Sequence, residues 1–231
     1  MADRTEFLAK IAEALGRTPG APIAPPPPLE VERVRRVPIG IDPESIDLES
    51  GDSTTDRFAR EVVAAGGECL RTPAGVLPAT IAACLVDLEA ARVIIDLPAE
   101  KLGLREACER VGIEVQPADG DRSAFESAGR TVGLTAVASA VAETGTVVLD
   151  ASVGSPRGTS LLPDVHLAVV LESQIVPDLV DLLGGDAALS GEQPSARTWV
   201  TGPSKTADIE GILITGVHGP GEWIVAIAEG V

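Results

Sequence analysis

The amino-acid sequence predicts an α/β protein whose main body is built on a parallel β-sheet. Helix and strand patterns alternate along the first half of that body, which is typical of parallel strands joined by crossover helices. The length of 231 residues suits one domain with an appendage. Hydrophobic residues make up 45% of the chain, enough to bury a proper core.

The N-terminal region predicts an arm. Residues 3–16 form an amphipathic helix pattern, with Asp3 and Glu6 as a capping box. A proline-rich stretch between Pro19 and Pro38 follows and favours a semi-rigid polyproline II spacer. We therefore predict two regions, with helix and linker at residues 1–42 and the folded domain at residues 43–231. Two interpretations of the arm stay open: it folds back onto its own domain, or it docks on a partner or a second copy.

The main body begins with regular alternation. Ser53 and Asp56 are placed to cap a helix whose apolar face contains Phe58, Val62 and Val63 and which ends at Gly66-Gly67. The elements expected next are a strand around Cys69–Arg71, a helix marked by Leu77, Ile81, Leu85 and Leu88, the strand Arg92–Leu97, and a helix with Leu104, Cys108 and Val111.

The second half is richer in strands. One helix, carrying Ile175, Leu179 and Leu183, interrupts them. The expected strands are Thr131–Val137, Gly145–Leu149, Val165–Leu171, Thr198–Thr201, Gly211–Thr215 and Trp223–Ala228.

Charge and sorting signals exclude several classes of function. The net charge is −17, and no basic stripe is available to displace counterions from nucleic acid. Residues 41–56 carry six acids and no base, so an anionic membrane surface would repel them. No secretory signal and no apolar run of about 18 residues is present, which predicts a cytoplasmic protein with reduced thiols. Cys69, Cys84 and Cys108 are isolated and are expected to pack as core residues.

Common cofactor motifs are missing. The sequence has no GxGxxG after a strand, no P-loop and no GxSxG. Two histidines are too few for a histidine-based metal site unless carboxylates complete it, and three cysteines on separate elements cannot supply four ligands to a cubane cluster. We therefore expect neither a metal nor another cofactor on this chain.

Three polar segments stand out against the apolar background. The first is Glu143-Thr144-Gly145-Thr146, at the start of an apolar strand, where Gly145 allows close approach of a ligand or of another backbone. A solvated charge at a sheet edge is the alternative interpretation of Glu143.

The second segment runs from Gly154 to His166. Its loop contains Ser160 and one arginine, Arg157, which is suited to binding an anion. His166 begins an apolar strand, where a hydrogen-bonded core histidine is the alternative to a catalytic one.

The third segment follows the strand TWVT, and in open α/β sheets ligands bind beyond the carboxyl ends of the strands. A glycine turn with two hydroxyls and a lysine could hold an anion on its backbone N–H groups. The alternative is a structural turn in which Asp208 caps a helix. The residues concerned are Gly202, Ser204, Lys205, Thr206, Asp208 and Glu210, closing with His218.

The three segments together resemble a known family. AETGTVVLD, RGTSLLPDVHLAVV and GPSKTADIEGILITGVHGP, in this order and spacing, are similar to the LUD (lactate-utilisation) domain over roughly residues 50–231. The short chain, without an iron–sulphur extension, is similar to the lactate-utilisation protein C type. The resemblance implies a Rossmann-like three-layer α/β/α sandwich of the NagB/RpiA/CoA-transferase-like type.

The resemblance also implies a function. The chain would be a subunit of a system that oxidises L-lactate to pyruvate together with an iron–sulphur LUD protein and a cysteine-rich protein, and it would not be an oxidoreductase on its own. Arg157 or Lys205 would pair with the lactate carboxylate, and His166 or His218 would handle the hydroxyl proton. We group Glu143, His166, His218 and Asp208 as candidate catalytic residues. The candidate substrate-binding residues are Thr144, Gly145, Thr146, Arg157, Ser160, Gly202, Ser204, Lys205, Thr206 and Glu210.

Two other hypotheses stay open. In the first, the chain is a stand-alone transferase or ligase for a small anionic or CoA-linked substrate, with Glu143 as a carboxylate nucleophile. In the second, it is a scaffold whose working part is the N-terminal arm. The sequence sets no oligomeric state, and a homo-oligomer is compatible with every hypothesis.

Overall fold

The computed structural model describes residues 53–119, 125, 129–184, 194–207, 213–216 and 218–231, all within the compact unit Ile39–Val231. The predicted N-terminal helix and proline-rich linker at residues 1–42 lie outside the described residues. The predicted boundary between arm and domain therefore stays a prediction.

The first described helix, α1 (Thr54–Ala64), has the capping box that its sequence predicts. The Ser53 side chain accepts from the Asp56 N–H, and the Asp56 carboxylate accepts from the Ser53 N–H. Phe58 and Val62 are buried, but Val63 is 58% exposed, so its assignment to the same face was wrong. The next elements are β1 (Glu68–Pro73), α2 (Leu77–Asp87), β2 (Arg92–Ile95), α3 (Leu97–Glu100), α4 (Leu104–Arg110) and β3 (Glu114–Pro117).

The second half contains more short elements than the sequence indicates. In chain order they are β4 (Thr131–Ala136), β5 (Ser139–Val141), β6 (Thr146–Ala151), α5 (Gly158–Leu161), β7 (Val165–Leu171), β8 (Ile175–Val176), α6 (Leu179–Gly184), β9 (Ala196–Val200), β10 (Lys205–Ala207), β11 (Leu213–Thr215) and β12 (Glu222–Glu229). Among the described helices none is long and apolar enough to cross a membrane.

Two local predictions in the second half of the chain were also wrong. Ile175 lies in β8 and not in the helix with Leu179, because Pro177 holds the residue before it in an extended conformation and has no N–H to donate. Gly158–Leu161, predicted as part of a loop, forms the short helix α5.

The central sheet has six parallel strands in the order β1-β12-β7-β4-β2-β3. This confirms the parallel sheet predicted from the alternation of helices and strands. The first and last of the described strands along the chain, β1 and β12, lie side by side. The sheet is therefore complete only when the C-terminal strand is in place.

The two faces of this sheet are covered differently. On the outer face, α2, α3 and α4 pack over side chains such as Val93, Leu134 and Leu167. On the inner face, α1 and part of a second, four-stranded sheet, in the order β8-β5-β6-β9, pack over β7 and β12. The α/β class is confirmed, but the inner layer differs from the predicted α/β/α arrangement.

The sequence of β6 explains the second sheet. Val147 and Leu149 face the central sheet, while Val148 packs with Val141 and Leu182 on the other side. A strand that is apolar on both faces is stable only between two layers. Its outer side is covered by α6, which carries Leu182.

Candidate functional site

The first polar segment is the turn between β5 and β6, and it packs on α1. Gly145 has a φ of +64°, and a Cβ at this position would lie 2.6 Å from the Glu61 carbonyl carbon and the Val62 nitrogen. Glycine is needed here both for the left-handed backbone and for the close approach. Glu143, half-buried, donates its backbone N–H to the Pro177 carbonyl at 3.0 Å.

A chain of threonine hydroxyls joins the first segment to the third. Thr144 Oγ1 lies 2.6 Å from Thr146 Oγ1, which lies 2.7 Å from Thr201 Oγ1 at the end of β9. Each hydroxyl can donate one hydrogen bond and accept another, so all the donors in such a chain can point the same way, toward either of its ends. The structure thus brings Thr144 and Thr146 together with the start of the third segment.

The third segment closes over the C-terminal end of α1. Gly202, with a φ of +84°, leaves no room for a side chain, since a Cβ would lie 2.6 Å from the Ala65 carbonyl oxygen. Lys205 Nζ donates to that same carbonyl at 2.8 Å and places its charge at the negative end of the helix dipole. Ser204 is held through its backbone, which bonds to Gly216 and Pro220.

The expected position of the third segment was wrong. It was predicted to lie beyond the carboxyl ends of parallel strands, but Gly202–Lys205 lies beside Gly66, just before β1, and Gly216–Gly221 leads directly into β12. The segment therefore lies at the amino ends of the central strands. The reason is that β9 belongs to the second sheet, where it pairs antiparallel with β6. Asp208 and Glu210 lie outside the described residues, and of Thr206 only the backbone, in β10, is described.

Arg157 and Ser160, from the second segment, lie in a different place. Both line a small depression between β4 and the second sheet, together with Thr135, Asp150 and Thr198. Asp150 is already paired with Arg197, at 2.6 and 2.9 Å. The exposed Arg157 side chain therefore stands at the rim of this depression, while Lys205 stands at the end of α1.

Asp96 is a buried polar residue that sequence reasoning missed, and it contacts Ser155, which lines this depression. It directly follows β2, is 0% exposed, and accepts from the Ala99 N–H at 2.8 Å, the Ala136 N–H at 3.3 Å and the Ser155 hydroxyl at 3.0 Å. Burial raises the pKa of its carboxyl to about 6, and the three donors oppose that rise. The sequence contained one signal for this role: Asp96 follows an apolar strand and precedes Leu-Pro, a pattern typical of a residue that caps the N-terminus of a helix.

Asp96 also marks the topological switch point of the central sheet. From the carboxyl end of β2 the chain passes to β3 on one side, and from the carboxyl end of the adjacent β4 it leads eventually to β7 on the other. Crevices of this kind are the usual ligand sites of open α/β sheets. Here Gly154 and Ser155 lie over the crevice, with the Leu97 N–H donating to the Gly154 carbonyl at 2.8 Å.

His166 is buried on the inner face of the sheet. Its Nε2 lies 2.9 Å from Thr135 Oγ1, and only 1% of the residue is exposed. Burial lowers the pKa of the imidazole to about 4, because water no longer solvates the charged form. His166 is thus a neutral core histidine near pH 7, with the hydroxyl of Thr135 as a partner.

Three buried polar atoms around His166 have no hydrogen-bond partner among the described residues. They are Nδ1 of His166 itself, Oγ1 of Thr159 and Nε1 of Trp223. Each unsatisfied buried polar group lowers the free energy of unfolding by roughly 1–3 kcal/mol. Three such groups therefore destabilise a single domain substantially. Neither Thr159 nor Trp223 was identified from the sequence, where both resemble ordinary core positions.

His218 lies in an open cleft of about 440 Å³ at the amino ends of β7 and β12. Leu161, Leu162, Pro163 and Asp164 form one wall, and Gly216, Gly219 and Gly221 line the other with His218. The imidazole of His218 is exposed to solvent in this cleft, whereas that of His166 is buried in the core. The cleft brings together the end of the second segment and the end of the third.

Comparisons with known proteins agree with the resemblance seen in the three segments. A sequence model of the LUD domain matches residues 59–227. The chain is 30% identical to Lactate utilization protein C of Halalkalibacterium halodurans, over 94% of each chain, and 30% identical to the uncharacterized protein YkgG of Escherichia coli K12, over 99% of each. A crystal structure of a DUF162 family protein from Deinococcus radiodurans superposes with a TM-score of 0.56 and 26% identity, covering 77% of this chain and 99% of that one.

Proposed function

This chain belongs to the LUD-domain family, and on that premise we propose that it is a component of a cytoplasmic system that oxidises L-lactate to pyruvate. The observation that carries the proposal is the match, over 94% of both chains, to a relative named Lactate utilization protein C. A similarity that runs through the whole domain includes all three polar segments. We also propose that the fold is of the NagB/RpiA/CoA-transferase-like type.

The chemistry of the reaction favours electron acceptors on partner proteins. Oxidation of L-lactate to pyruvate releases two electrons and two protons, and the electrons need an acceptor such as an iron–sulphur cluster. Iron–sulphur ligation uses several thiolates that converge on one cluster, whereas Cys69, Cys84 and Cys108 lie on three separate elements, β1, α2 and α4. This supports a role in which an iron–sulphur LUD protein and a cysteine-rich protein take the electrons.

The polar segments are the part of this chain that we assign to the function. The hydroxyl chain from Thr144 to Thr201 connects the turn at Glu143 to the start of the third segment beside α1. Arg157 presents an exposed guanidinium in the second segment, suited to a carboxylate. We propose that substrate or partner contacts form on these segments, with Glu143 as the charged group of the first.

A growth experiment tests this assignment. In a host that lacks this gene, the unchanged chain should restore growth on L-lactate, and Glu143→Gln, which removes a charge at nearly constant volume, should restore it poorly. The matched control is Glu106→Gln, an exposed residue of α4 away from the three segments, which should restore growth fully. Protein levels of each variant are compared by immunoblot.

Two results would overturn the proposal. If the host without the gene grows normally on L-lactate, the chain is not needed for lactate use. If the isolated chain oxidises L-lactate with only a soluble dye as acceptor, the dependence on iron–sulphur partners is wrong. Equal rescue by Glu143→Gln and Glu106→Gln would move the function away from the first segment.

A further inference from the structure

Arg157 carries a guanidinium group that makes no hydrogen bond or ion pair with any described residue. Its exposed side chain lines the small depression between β4 and the second sheet, which we call the Arg157 depression. The other charged side chain in the lining, Asp150, is neutralised by two hydrogen bonds from Arg197 at 2.6 and 2.9 Å. Arg157 is therefore available to bind an anion from solvent.

The Arg157 depression is small. Its volume is about 10 Å³, which is room for one water-sized group, and hydroxyl-bearing side chains, among them Ser155 and Ser160, line it. A ligand can therefore place a single oxygen atom inside the depression. The rest of the ligand stays outside, where the exposed guanidinium of Arg157 lies.

Ser155 presents its oxygen to the Arg157 depression, and its proton is directed elsewhere. The Ser155 hydroxyl donates to Asp96 Oδ2 at 3.0 Å, while Asp96 Oδ1 accepts from the backbone N–H groups of Ala99 and Ala136. An ionised carboxylate only accepts hydrogen bonds, so the direction of the bond between Ser155 and Asp96 is fixed. Because a hydroxyl has one proton, Ser155 has only acceptor lone pairs left for a ligand.

The loop that carries Ser155 and Arg157 is anchored through its backbone. Ser152 and Ser155 exchange two backbone hydrogen bonds of 3.1 Å each, and the Leu97 N–H donates to the Gly154 carbonyl at 2.8 Å. These bonds hold the loop in place without the side chain of Ser155. The bond from the Ser155 hydroxyl to Asp96 is therefore available for a role other than anchoring the loop.

We propose that the Arg157 depression binds a small 2-hydroxy acid in preference to the matching 2-oxo acid, with Arg157 on the carboxylate and Ser155 accepting from the 2-hydroxyl group. The choice of acid rests on the proposed function, whereas the preference for a hydroxyl follows from the bond between Ser155 and Asp96. A 2-oxo group brings only acceptor lone pairs, so no proton lies between it and the Ser155 oxygen. If Ser155 turned its proton toward that group, the buried Asp96 carboxylate would lose a hydrogen bond. Asp96 is thus a positioning residue, because it acts on the ligand through Ser155.

Isothermal titration calorimetry of the full-length protein at pH 8 tests this preference. Burial raises the pKa of Asp96 to about 6, so its carboxyl is ionised at pH 8. L-Lactate should bind at least about tenfold more tightly than pyruvate, because only L-lactate can donate a hydrogen bond to Ser155. The proposal is overturned if neither acid binds up to about 10 mM, above usual substrate affinities, or if both bind equally.

The variant Asp96→Asn reverses the hydrogen bond at Ser155. The amide oxygen can still accept from Ala99 and Ala136, while the amide NH₂ donates to Ser155 Oγ and lets the Ser155 proton point toward the ligand. Pyruvate should therefore bind at least about tenfold more tightly to this variant than to the unchanged chain. A merely structural role of Asp96 predicts no such gain. The control Asp87→Asn, exposed at the end of α2, should leave both Kd values unchanged.

Two further variants keep the proposal testable if Asp96→Asn does not fold. Ser155→Ala removes the acceptor, so the Kd of L-lactate should rise to about that of pyruvate. Arg157→Gln removes the charge and should weaken the binding of both acids at least about tenfold. Thermal unfolding checks that each variant is folded. A preference for L-lactate that survives in Ser155→Ala overturns the proposal, as does unchanged binding in Arg157→Gln.

Failure of this site and failure of the proposed function are distinguishable. If neither acid binds while the gene still restores growth on L-lactate, the assignment of the Arg157 depression is wrong and the proposed function stands. If L-lactate binds with the expected preference and the gene is dispensable for growth on L-lactate, the site stands and the proposed function is wrong.

Discussion

Asp96 links the stability of this protein to pH through one buried carboxyl. Its pKa of about 6 is above the ordinary value of 3.8, so the folded chain holds the proton more tightly than the unfolded chain. The associated stability is present below pH 4 and is lost as the pH rises through 6, by about 3 kcal/mol in total. We predict that Asp96→Asn, which can keep the acceptor for Ala99 and Ala136, makes the protein more stable at pH 7 and changes little at pH 4.

Urea unfolding at pH 4, 5, 6 and 7 measures this difference. The control is Asp87→Asn at an exposed position at the end of α2, whose effect on the free energy of unfolding should be small. If Asp96→Asn destabilises the protein equally at every pH, the carboxylate is a net stabilising cap and its burial is not the dominant effect.

His166 acts in the opposite direction over the same range. Burial lowers its pKa to about 4, so the unfolded chain takes up a proton that the folded chain excludes, and stability falls as the pH drops from about 6.5 to 4. We predict that the His166 Cε1–H resonance keeps the shift of a neutral imidazole down to about pH 5. NMR titration is simple because the chain has only two histidines, and His166→Gln assigns the signal. A midpoint near 6.5 for His166 would contradict its burial.

At the residue scale, the sequence identified polar residues but not their surroundings. Gly145 was expected to permit a close approach, and the backbone of α1 does approach it. The lysine of the third segment was expected to hold an anion, yet it donates to the end of α1. Thr159 and Trp223 could not be recognised because an unpaired buried atom becomes visible only when the neighbouring strands are known.

At the element scale, two glycines keep the second sheet close to α1. Gly145 and Gly202 both have positive φ, and in each a Cβ would lie 2.6 Å from the backbone of that helix. We predict that Gly145→Ala lowers the free energy of unfolding by roughly 3 kcal/mol, from left-handed strain of about 1–2 kcal/mol and from the collision with Glu61. Urea denaturation of the purified variant measures the loss.

Gly112 provides the matched control for this prediction. Its φ is +80°, and a Cβ there meets nothing within 4 Å, so Gly112→Ala introduces the strain without the collision. It should cost about 1–2 kcal/mol. If both variants are equally destabilised, the turn at Gly145 moves easily away from α1, and the packing between them contributes little.

Element length decided which parts of the fold were predictable. The seven-residue β7 and the eight-residue β12 are long apolar runs, and their predicted bounds agree with the structure within one residue. β5 and β8, with three and two residues, are too short to show a period of two. Strands β6 and β9 of the second sheet were predicted, but without β5 and β8 they could not be assigned to a separate layer over the inner face.

At the scale of the whole molecule, the order of the strands depends on contacts between distant parts of the chain. Alternating helices and strands predict a parallel sheet, but β12 pairs with β1 across more than 150 residues. No local pattern carries that information, since pairing is decided by which buried surfaces fit. The meeting of the second and third segments at one cleft depends on the pairing of β12 with β7, which no local pattern predicts either.

This arrangement predicts opposite effects of shortening the chain at its two ends. The described core is built from Phe58 to Ala228, so a chain that starts at Pro43 should fold and unfold cooperatively in urea. A chain that stops at Gly221 loses β12, which contributes Ile224 and Ala226 to the outer face of the sheet and Trp223, Val225 and Ile227 to the inner face.

Without β12, β1 and β7 would face each other across a gap, each with an unpaired edge, and both hydrophobic clusters would open to water. We therefore expect the chain ending at Gly221 to show no cooperative transition and to bind a dye that reports exposed apolar surface. If instead the chain starting at Pro43 is the one that fails to fold, residues 1–42 belong to the core of the domain. The interpretation of that region as a separable arm would then be wrong, because a spacer and a docking helix can be removed without opening the core.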